Sequence, residues 1–235
     1  MINVFYRLCE KESGTHCEGR PEWFSKKKCL TSFLNAVENA KEHIGQLFFV
    51  HDGPKGDLYE MIRGFYGKDY YILNINEGNY LGSLNQTYDL ALRNCNNDLY
   101  FVEDDYLHLP DSISKIALSI NDLEFLSPYD HLACYDPVKY IGQPRQTEDR
   151  RTQQVADHTW KVNEFSCHTY AIRSDVFIKN KDVITSDSCA RADISFYRTM
   201  YSYGYPLWVP EPALTTQVDT YMSPNFDWEE FNKTL

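Results

Sequence analysis

The sequence Leu99-Tyr100-Phe101-Val102-Glu103-Asp104-Asp105 runs from four apolar or aromatic residues directly into three acids. The apolar segment predicts a buried β-strand, and the acids fall where that strand ends. Like charges at ~4 Å repel by about 1 kcal/mol in water and by several times more where water is scarce. A divalent cation such as Mg²⁺ or Mn²⁺, which takes oxygen ligands, would remove this repulsion. The alternative is a solvated acidic turn whose aspartates cap the next helix.

On both sides of this strand, short apolar segments alternate with helical patterns, which is typical of a layered α/β domain. Strands are predicted at residues 2–8, 46–51, 70–74 and 99–102, and then at 131–135, 170–172 and 206–209. Helices are predicted at 25–42, at 81–92, from 110–112 onward and at 190–203. The sequence shows no internal repeat and no linker, so we expect a single domain over residues 1–235.

Three local patterns add detail to this layout. Ser25 is the expected N-cap of the helix at 25–42, and residues 26–28, all lysine, are expected to form its solvated edge. The polar stretch 143–157 has no periodicity and predicts a loop. The tail after residue 222 is aromatic and acidic and is expected to pack loosely.

Composition excludes some classes of protein. The 235 residues include 23 Lys and Arg against 34 Asp and Glu, a net charge of −11 that argues against a nucleic-acid binder. Seven cysteines without a C-x-x-C pair indicate reduced thiols and predict a cytoplasmic protein. No secretory leader is expected, and no segment approaches the ~18 apolar residues of a membrane span. The 18 tyrosines suit sugar ligands but also ordinary packing.

A second acid and a helix start are predicted at the same edge of the sheet. Asp52 and Gly53 follow the strand at 46–51, and a carboxylate at this position can accept the N3–H of a uracil ring. An Asp-Gly turn is the alternative role for this pair. Residues 78–85, with sequence GNYLGSLN, provide small side chains and a helix N-terminus that suit a ribose or a pyrophosphate.

In their order and spacing, these elements resemble the nucleotide-sugar glycosyltransferases of the GT-A fold, in particular the inverting enzymes of family 2. The Glu103-Asp104-Asp105 sequence is similar to the E-D-D variant of the D-x-D motif. The resemblance covers residues 2–120 well and the second half by pattern only. It implies a mixed, mostly parallel central sheet flanked by helices, with a nucleotide-binding half at 1–120 and an acceptor-binding half at 121–235.

The resemblance also implies roles for the acids. Asp52 would contact the base, Glu103 would support the motif, and Asp104 would touch the ribose or the donor sugar. Asp105 would ligate the metal ion, Mn²⁺ or Mg²⁺, which would stabilise the leaving diphosphate as a Lewis acid.

Further donor-binding residues follow from the same resemblance. Tyr6 and Arg7, at the end of the first strand, would line the nucleotide pocket. Gly82, Ser83 and Asn85, at the start of the helix at 81–92, would contact the donor.

In the second half, residues 191–198 read RADISFYR and are followed by Gly204 and Tyr205. This segment is similar to the family's catalytic helix, and it makes Asp193 the expected general base toward the acceptor hydroxyl. An acid that stabilises the first helical turn is the alternative role. Gln217 stands where family members place a histidine near the metal, and a neutral amide is a poor ligand, so it receives no metal role.

The sequence therefore predicts a metal-dependent glycosyltransferase that moves a sugar, with inversion, from a nucleoside-diphosphate donor (UDP favoured) to a glycan or another hydroxyl acceptor. One alternative is a nucleotidyltransferase that forms sugar nucleotides, although the residues after the first strand, CEKESG at 9–14, are acidic rather than Gly-rich and basic. The other alternative is a non-catalytic carbohydrate-binding protein.

Overall fold

A computed structural model describes residues 1–11, 19–136, 149–164, 166–186 and 193–235 of the chain. Within these ranges the strands are β1 Ile2–Cys9, β2 Ile44–Asp52, β3 Tyr70–Ile75, β4 Asp98–Glu103, β5 Tyr106–His108, β6 Phe125–Leu126, β7 Thr152–Val155, β8 His158–Asn163, β9 Tyr170–Ile172, β10 Leu207–Glu211 and β11 Thr215–Gln217. The helices are α1 Lys26–Asn39, α2 Asp57–Arg63, α3 Tyr80–Arg93, α4 Ser112–Leu123, α5 Ser174–Lys179, α6 Lys181–Ile184, α7 Asp193–Ser202 and α8 Trp228–Asn232.

Nine of these strands form one sheet in the order β3-β2-β1-β4-β9-β6-β10-β8-β7, and β5 pairs with β11 in a separate two-stranded sheet. The first four strands of the large sheet are parallel to one another. Strands β9, β8 and β7 pair antiparallel with their neighbours. The expected mixed, mostly parallel sheet with flanking helices is confirmed. Both halves of the chain contribute strands to it, while their division into donor and acceptor halves stays a prediction.

Alternation along β1 sends its side chains into two cores, one on each face of the sheet. Val4 and Tyr6 pack in the cluster that also holds buried residues of α1, α2 and α4. Phe5 packs in the cluster that holds buried residues of α3, α5 and α7. Arg7 therefore lies on the α3 face of the sheet, and this placement sets its contacts in the site.

The predicted start of α1 is confirmed: the Ser25 side chain accepts a hydrogen bond from the Lys28 backbone N–H at 3.2 Å. The strand predicted at 131–135 is wrong. The backbone N–H of Ala133 donates to Nδ1 of His131 at 3.1 Å and bends the chain into a 3₁₀-helix at Leu132–Cys134. The sheet position between β9 and β10 is taken by β6 instead.

The loop predicted at 143–157 is wrong in its second part, because β7 and β8 form a hairpin there. Ala156 and Asp157 connect the two strands with φ of 51° and 56°, the left-handed geometry that usually selects Asn-Gly. Residues 143–148, and 190–192 of the helix predicted at 190–203, lie outside the described residues.

The expectation that the tail after residue 222 packs loosely is also wrong. Trp228 is buried in a third apolar cluster with Cys29 and Leu107, and its indole N–H donates to the carbonyl oxygen of Ser223 at 3.1 Å. The tail therefore closes over the outer side of α1 and β5.

A buried histidine makes the stability of this fold depend on pH. His108 is fully buried, and its Nε2 lies 3.0 Å from the Tyr100 hydroxyl. Burial lowers the pKa of His108 to about 3, against 6.5 for the free side chain, although a hydrogen bond to the Tyr106 backbone opposes the shift. Below pH 6.5 the unfolded chain therefore takes up a proton at this residue that the folded chain does not bind.

We expect the free energy of unfolding to fall by about 2 kcal/mol from this residue alone between about pH 6.5 and about pH 5. Denaturant unfolding across this range should show a shallower pH dependence in His108→Gln than in the wild type. The matched control is His43→Gln, at a partly exposed histidine, which should keep the wild-type slope. An unchanged slope in His108→Gln would contradict the assignment.

Candidate functional site

The carboxyl ends of β1, β2 and β4 meet at one edge of the sheet and bring the predicted acids together. Cys9 lies opposite Asp52 in the β1–β2 register, and Arg7 lies opposite Glu103 in the β1–β4 register. Asp104 and Asp105 form the turn between β4 and β5. In open α/β sheets this edge is where ligands bind.

Each acid of the turn Glu103-Asp104-Asp105 is paired with its own basic side chain. Arg7 Nη2 forms an ion pair with Oε1 of Glu103. Lys26 Nζ lies 2.8 Å from Oδ2 of Asp104, and Arg20 Nη2 lies 2.9 Å from Oδ2 of Asp105. All six side chains are less than one-fifth exposed. The repulsion that the sequence predicts is thus balanced by three cations of the protein itself.

Lys26 corrects the expectation that residues 26–28 form a solvated edge. It is 7% exposed, and besides Asp104 its ammonium group donates to the carbonyl oxygens of Cys9 at 3.0 Å and Lys11 at 2.6 Å. Burial lowers the pKa of Lys26, but the charge of Asp104 outweighs it and the net shift is upward. Lys26 therefore fastens the start of α1 to the acidic turn and to the loop after β1.

Asp105 contacts the second half of the chain as well as Arg20. Gln217, which faces Tyr106 across the β5–β11 pair, donates from Nε2 to Oδ2 of Asp105 at 3.2 Å. Burial and the neighbouring Asp104 raise the pKa of Asp105, against the lowering effect of Gln217 and Arg20. Gln217 stands at the position where the resemblance places a histidine. It thus lies next to Asp105, and its side-chain amide acts as a hydrogen-bond donor.

Burial raises the pKa of Glu103 to about 7 even though Arg7 opposes the shift. The charges of Asp105 and Asp193 contribute to this upward shift. For Arg7, burial lowers the pKa and Glu103 raises it, with a net upward shift. Because the charge of Asp193 affects the pKa of Glu103, Asp193 lies close enough to the acidic turn to interact with it electrostatically, although it is far along the chain.

A row of contacts joins the acidic turn to Asp193. The guanidinium of Arg7 lies 4.5 Å from the ring centroid of Tyr80, and the rings of Tyr80 and His168 are 5.9 Å apart. Nε2 of His168 lies 2.7 Å from Oδ1 of Asp193, a close polar contact that is not aligned as a hydrogen bond. His168 is 4% exposed, whereas the side chain of Asp193 is 36% exposed at the first position of α7. A buried histidine thus lies in contact with an accessible carboxylate.

Asp52 organises the loop that leads into α3. Its carboxylate accepts the backbone N–H groups of Glu77 at 2.8 Å and Gly78 at 3.1 Å. Gly78 has a φ of 62°, a left-handed conformation that glycine adopts without strain. The role of Asp52 toward a base stays a prediction, since its carboxylate is mainly buried and already holds this loop.

The N-terminus of α3 contains the remaining residues of the predicted donor site. Asn79 caps the helix by accepting from the Gly82 N–H at 2.9 Å, and Ser83 Oγ accepts from Arg7 Nη1 at 3.1 Å. Asn85 is exposed, one turn further along the helix. Gly82 and Ser83 therefore lie beside the Arg7–Glu103 pair, and their contact with a donor stays a prediction.

Tyr6 lies in the core below this edge. It is fully buried, and its ring is 4.3 Å from that of Phe33 and 5.9 Å from that of Phe49. Both contacts belong to the α1 face of the sheet. Stacking of Tyr6 on a base, as the resemblance implies, would require these neighbours to move.

Sequence reasoning missed four contributors to the site: Arg20, Lys26, Tyr80 and His168. Each reaches the site through a contact between residues far apart in the sequence, so no local motif marks it. In the sequence, Glu10 is only one of the acidic residues that follow the first strand. Its carboxylate in fact accepts the N–H groups of Gly56, Leu58 and Tyr59 at the start of α2.

The residues of the turn do not fit a divalent ion in this arrangement. Among the described residues, no group of three His, Cys, Asp or Glu side chains is placed to hold a metal. One oxygen of each carboxylate instead accepts from a basic side chain: Arg7 at Glu103, Lys26 at Asp104 and Arg20 at Asp105. The expected Mn²⁺ or Mg²⁺ on Asp105 stays a prediction.

Two surface cavities lie elsewhere, along β3. One of about 460 Å³ is lined by Phe65, Tyr66 and Tyr71 among others, and one of about 380 Å³ by Phe48, Tyr71 and Leu90 among others. Neither is lined by a residue of the acidic turn, so the candidate site rests on the charged contacts rather than on a deep pocket. In the part of the chain that the structure describes, no helix has the length and apolar character to cross a membrane.

Comparison with protein-family models finds no match, and comparison with curated proteins finds none. Among solved structures, S. aureus TarS 1–349 in complex with UDP-GlcNAc aligns over 94% of this chain and 57% of its own, with 12% identity and a TM-score of 0.49. The complex with UDP aligns over 98% and 62%, with 12% identity and a TM-score of 0.47. S. aureus TarS aligns over 98% and 37%, with 14% identity and a TM-score of 0.49. This chain thus spans less than two thirds of the length of each of these chains.

The contact between Lys26 and Asp104 predicts that replacing Lys26 lowers stability much more than replacing its neighbour Lys27. Lys26→Met would leave the Asp104 carboxylate, 17% exposed, without its ammonium partner. We expect the free energy of unfolding to fall by roughly 2–4 kcal/mol, since a mostly buried charge that loses its partner is costly. Denaturant unfolding measures this change.

Lys27→Met is the matched control, because Lys27 is exposed in the same turn of α1, and it should stay within about 0.5 kcal/mol of the wild type. Adding Asp104→Asn to Lys26→Met should recover part of the loss. Equal stability of the two single lysine variants would contradict the pairing.

Proposed function

We propose that this chain is a glycosyltransferase that moves a sugar from a nucleoside-diphosphate donor, with UDP favoured, to an acceptor hydroxyl. The observation that carries the proposal is the row of contacts from the acidic turn through Arg7, Tyr80 and His168 to Asp193. It places an accessible carboxylate beside the strand ends where α/β sheets bind ligands. The sequence resemblance to GT-A enzymes rests on the same acids and supports the same class.

The donor nucleotide would lie along the carboxyl ends of β1, β2 and β4. A carboxylate has about four acceptor positions, so Asp52 can hold the 77–78 loop and still accept one N–H from a base. The uracil N3–H is such a donor, which is the reason for favouring UDP. Ser83 and the Arg7 guanidinium, joined by a hydrogen bond of 3.1 Å, would contact the donor between Asp52 and the acidic turn.

Asp193 would act as the general base. As the acceptor oxygen attacks the anomeric carbon, Asp193 takes the hydroxyl proton and the bond from that carbon to the diphosphate oxygen breaks. Attack from the face opposite the leaving nucleoside diphosphate inverts the anomeric configuration. His168 would be a positioning residue: its buried Nε2 lies 2.7 Å from Oδ1 of Asp193 and would restrict the orientation of that carboxylate.

The loop after β1 does not support the nucleotidyltransferase alternative. Such enzymes need a basic, Gly-rich loop around the transferred phosphates, whereas here Glu10 is committed to the N-terminus of α2. A pyrophosphate-release assay would detect that activity directly. A non-catalytic carbohydrate-binding protein would bind sugar without releasing nucleotide.

The proposal is tested with a panel of UDP-, GDP- and TDP-sugars, each with and without Mn²⁺, by measuring nucleotide release with water as the acceptor. Slow release from one donor, with the UDP-sugars first, is the expected result. Neither binding nor release with any member of the panel would refute the proposed function.

Asp193→Asn should separate binding from turnover on the donor that the panel identifies. An amide cannot accept the proton, so we expect the rate of nucleotide release to fall by roughly 10²–10⁴-fold, while the affinity for the free nucleotide stays within a few fold. Rates come from the release assay and affinities from titration calorimetry.

Asp122→Asn, at an exposed aspartate near the end of α4, is the control and should leave both quantities unchanged. If Asp193→Asn turns over donor at the wild-type rate, Asp193 is not the base.

A further inference from the structure

Arg20 lies beside the acidic turn, between the carboxylate of Asp105 and the ring of Phe24. Its side chain is 7% exposed, Nη2 lies 2.9 Å from Oδ2 of Asp105, and the guanidinium carbon lies 4.2 Å from the ring centroid of Phe24. The stacked ring and the carboxylate hold the guanidinium in one orientation. Arg20 therefore acts as a fixed cation at Asp105.

Two nitrogen atoms of this guanidinium donate no hydrogen bond to a described residue. Nε and Nη1 are buried and have no hydrogen-bond acceptor among the described residues. A buried N–H group without an acceptor is destabilising, and more so when the group is charged. An anionic oxygen placed against these donors would remove that cost, and phosphate oxygens match the geometry of guanidinium donors.

The charges of the turn leave no electrostatic demand for a second cation. Glu103, Asp104 and Asp105 carry at most three negative charges, and the cations paired with them carry three positive ones. A divalent ion on Oδ2 of Asp105 would have to displace Arg20, and one on Oδ1 would lie close to the mostly buried positive charge of the Arg20 guanidinium. The arrangement therefore favours the guanidinium over the metal at this carboxylate.

We propose that Arg20 takes the place at Asp105 that the sequence assigns to a divalent ion, and that its free donors bind a diphosphate oxygen of the donor, so that nucleotide binding by this chain needs no divalent ion. This inference rests on the proposed nucleotide-sugar function. The side chains of Arg20 and Asp105 are 7% and 12% exposed, so a diphosphate would reach Nε and Nη1 of Arg20 only after neighbouring side chains move.

The first test is calorimetric titration of the whole chain with UDP, in EDTA and in excess Mn²⁺. We expect the two affinities to agree within a few fold. Binding that occurs only with Mn²⁺ would overturn this inference and leave the proposed function standing. The absence of binding to UDP, GDP or TDP in both conditions would overturn the proposed function, and the inference with it.

Arg20→Gln tests the residue itself. We expect UDP binding in EDTA to weaken by about tenfold or more, the loss of one charge-assisted hydrogen bond. The control is Arg173→Gln, at an arginine that pairs with Glu124 and Asp175 outside the site, and its affinity should match the wild type. Wild-type affinity of a folded Arg20→Gln in EDTA would overturn the inference. Circular dichroism and thermal melting confirm that the variant folds.

Asp105→Asn gives an opposite expectation for the two mechanisms and decides the matter if Arg20→Gln does not fold. With Arg20 as the cation, the variant loses the partner of Arg20 but not the guanidinium, so UDP should still bind in EDTA within a few fold of the wild type. With a metal on Asp105, the wild type would bind UDP only in Mn²⁺, and the variant should lose that binding. The second result would overturn the inference.

Discussion

The structure depends on how three adjacent carboxylates at the end of β4 are neutralised. Charges this close repel strongly where water is scarce, and burial adds a desolvation cost to each of them. The chain meets this constraint with Arg7 from β1, Arg20 from the segment before α1 and Lys26 from the first turn of α1. The Lys26–Asp104 pairing also fixes a piece of backbone, because Lys26 and Asp104 both bond to Cys9, at its carbonyl oxygen and its N–H respectively. The acidic turn is thus the point at which β1, α1 and β4 are joined.

The same turn connects the two halves of the chain. Gln217 reaches Asp105 because β11 pairs with β5 directly after the turn, and its carbonyl oxygen also accepts from the Cys167 thiol at 3.2 Å. Tyr197 of α7 donates to the backbone carbonyl of Cys167 at 2.6 Å, which anchors the helix that begins with Asp193. The position of the proposed base is therefore set by hydrogen bonds that lead back to the acidic turn.

Much of the first half was predictable, because local rules and the global fold agree there. Period-two alternation in β1, the 3.6-residue spacing in α1 and the Ser25 cap each depend on neighbours in sequence. The hairpin at 152–163 was missed because Ala156 and Asp157 occupy positive φ without an Asn-Gly signal. The strand at 131–135 failed because a side-chain acceptor, His131, competes with the sheet for the local backbone. Lys26 was assigned to solvent because its partner lies 78 residues away.

An acidic motif at a strand end does not by itself specify its chemistry. Three carboxylates that lack basic neighbours demand an external cation, whereas the same three with matched internal cations do not, and the motif has the same letters in both cases. The difference lies in contacts that span 96, 78 and 85 residues of sequence, so it emerges only from the fold. One of these contacts follows from topology: β1 and β4 are parallel neighbours, and their register sets Arg7 opposite Glu103. Pairing the strand ends of a predicted sheet and asking which acids meet a base would therefore identify one of the three cations before any coordinates exist. Arg20 and Lys26 lie in the connection after β1, and the path of such a connection is not determined by strand register.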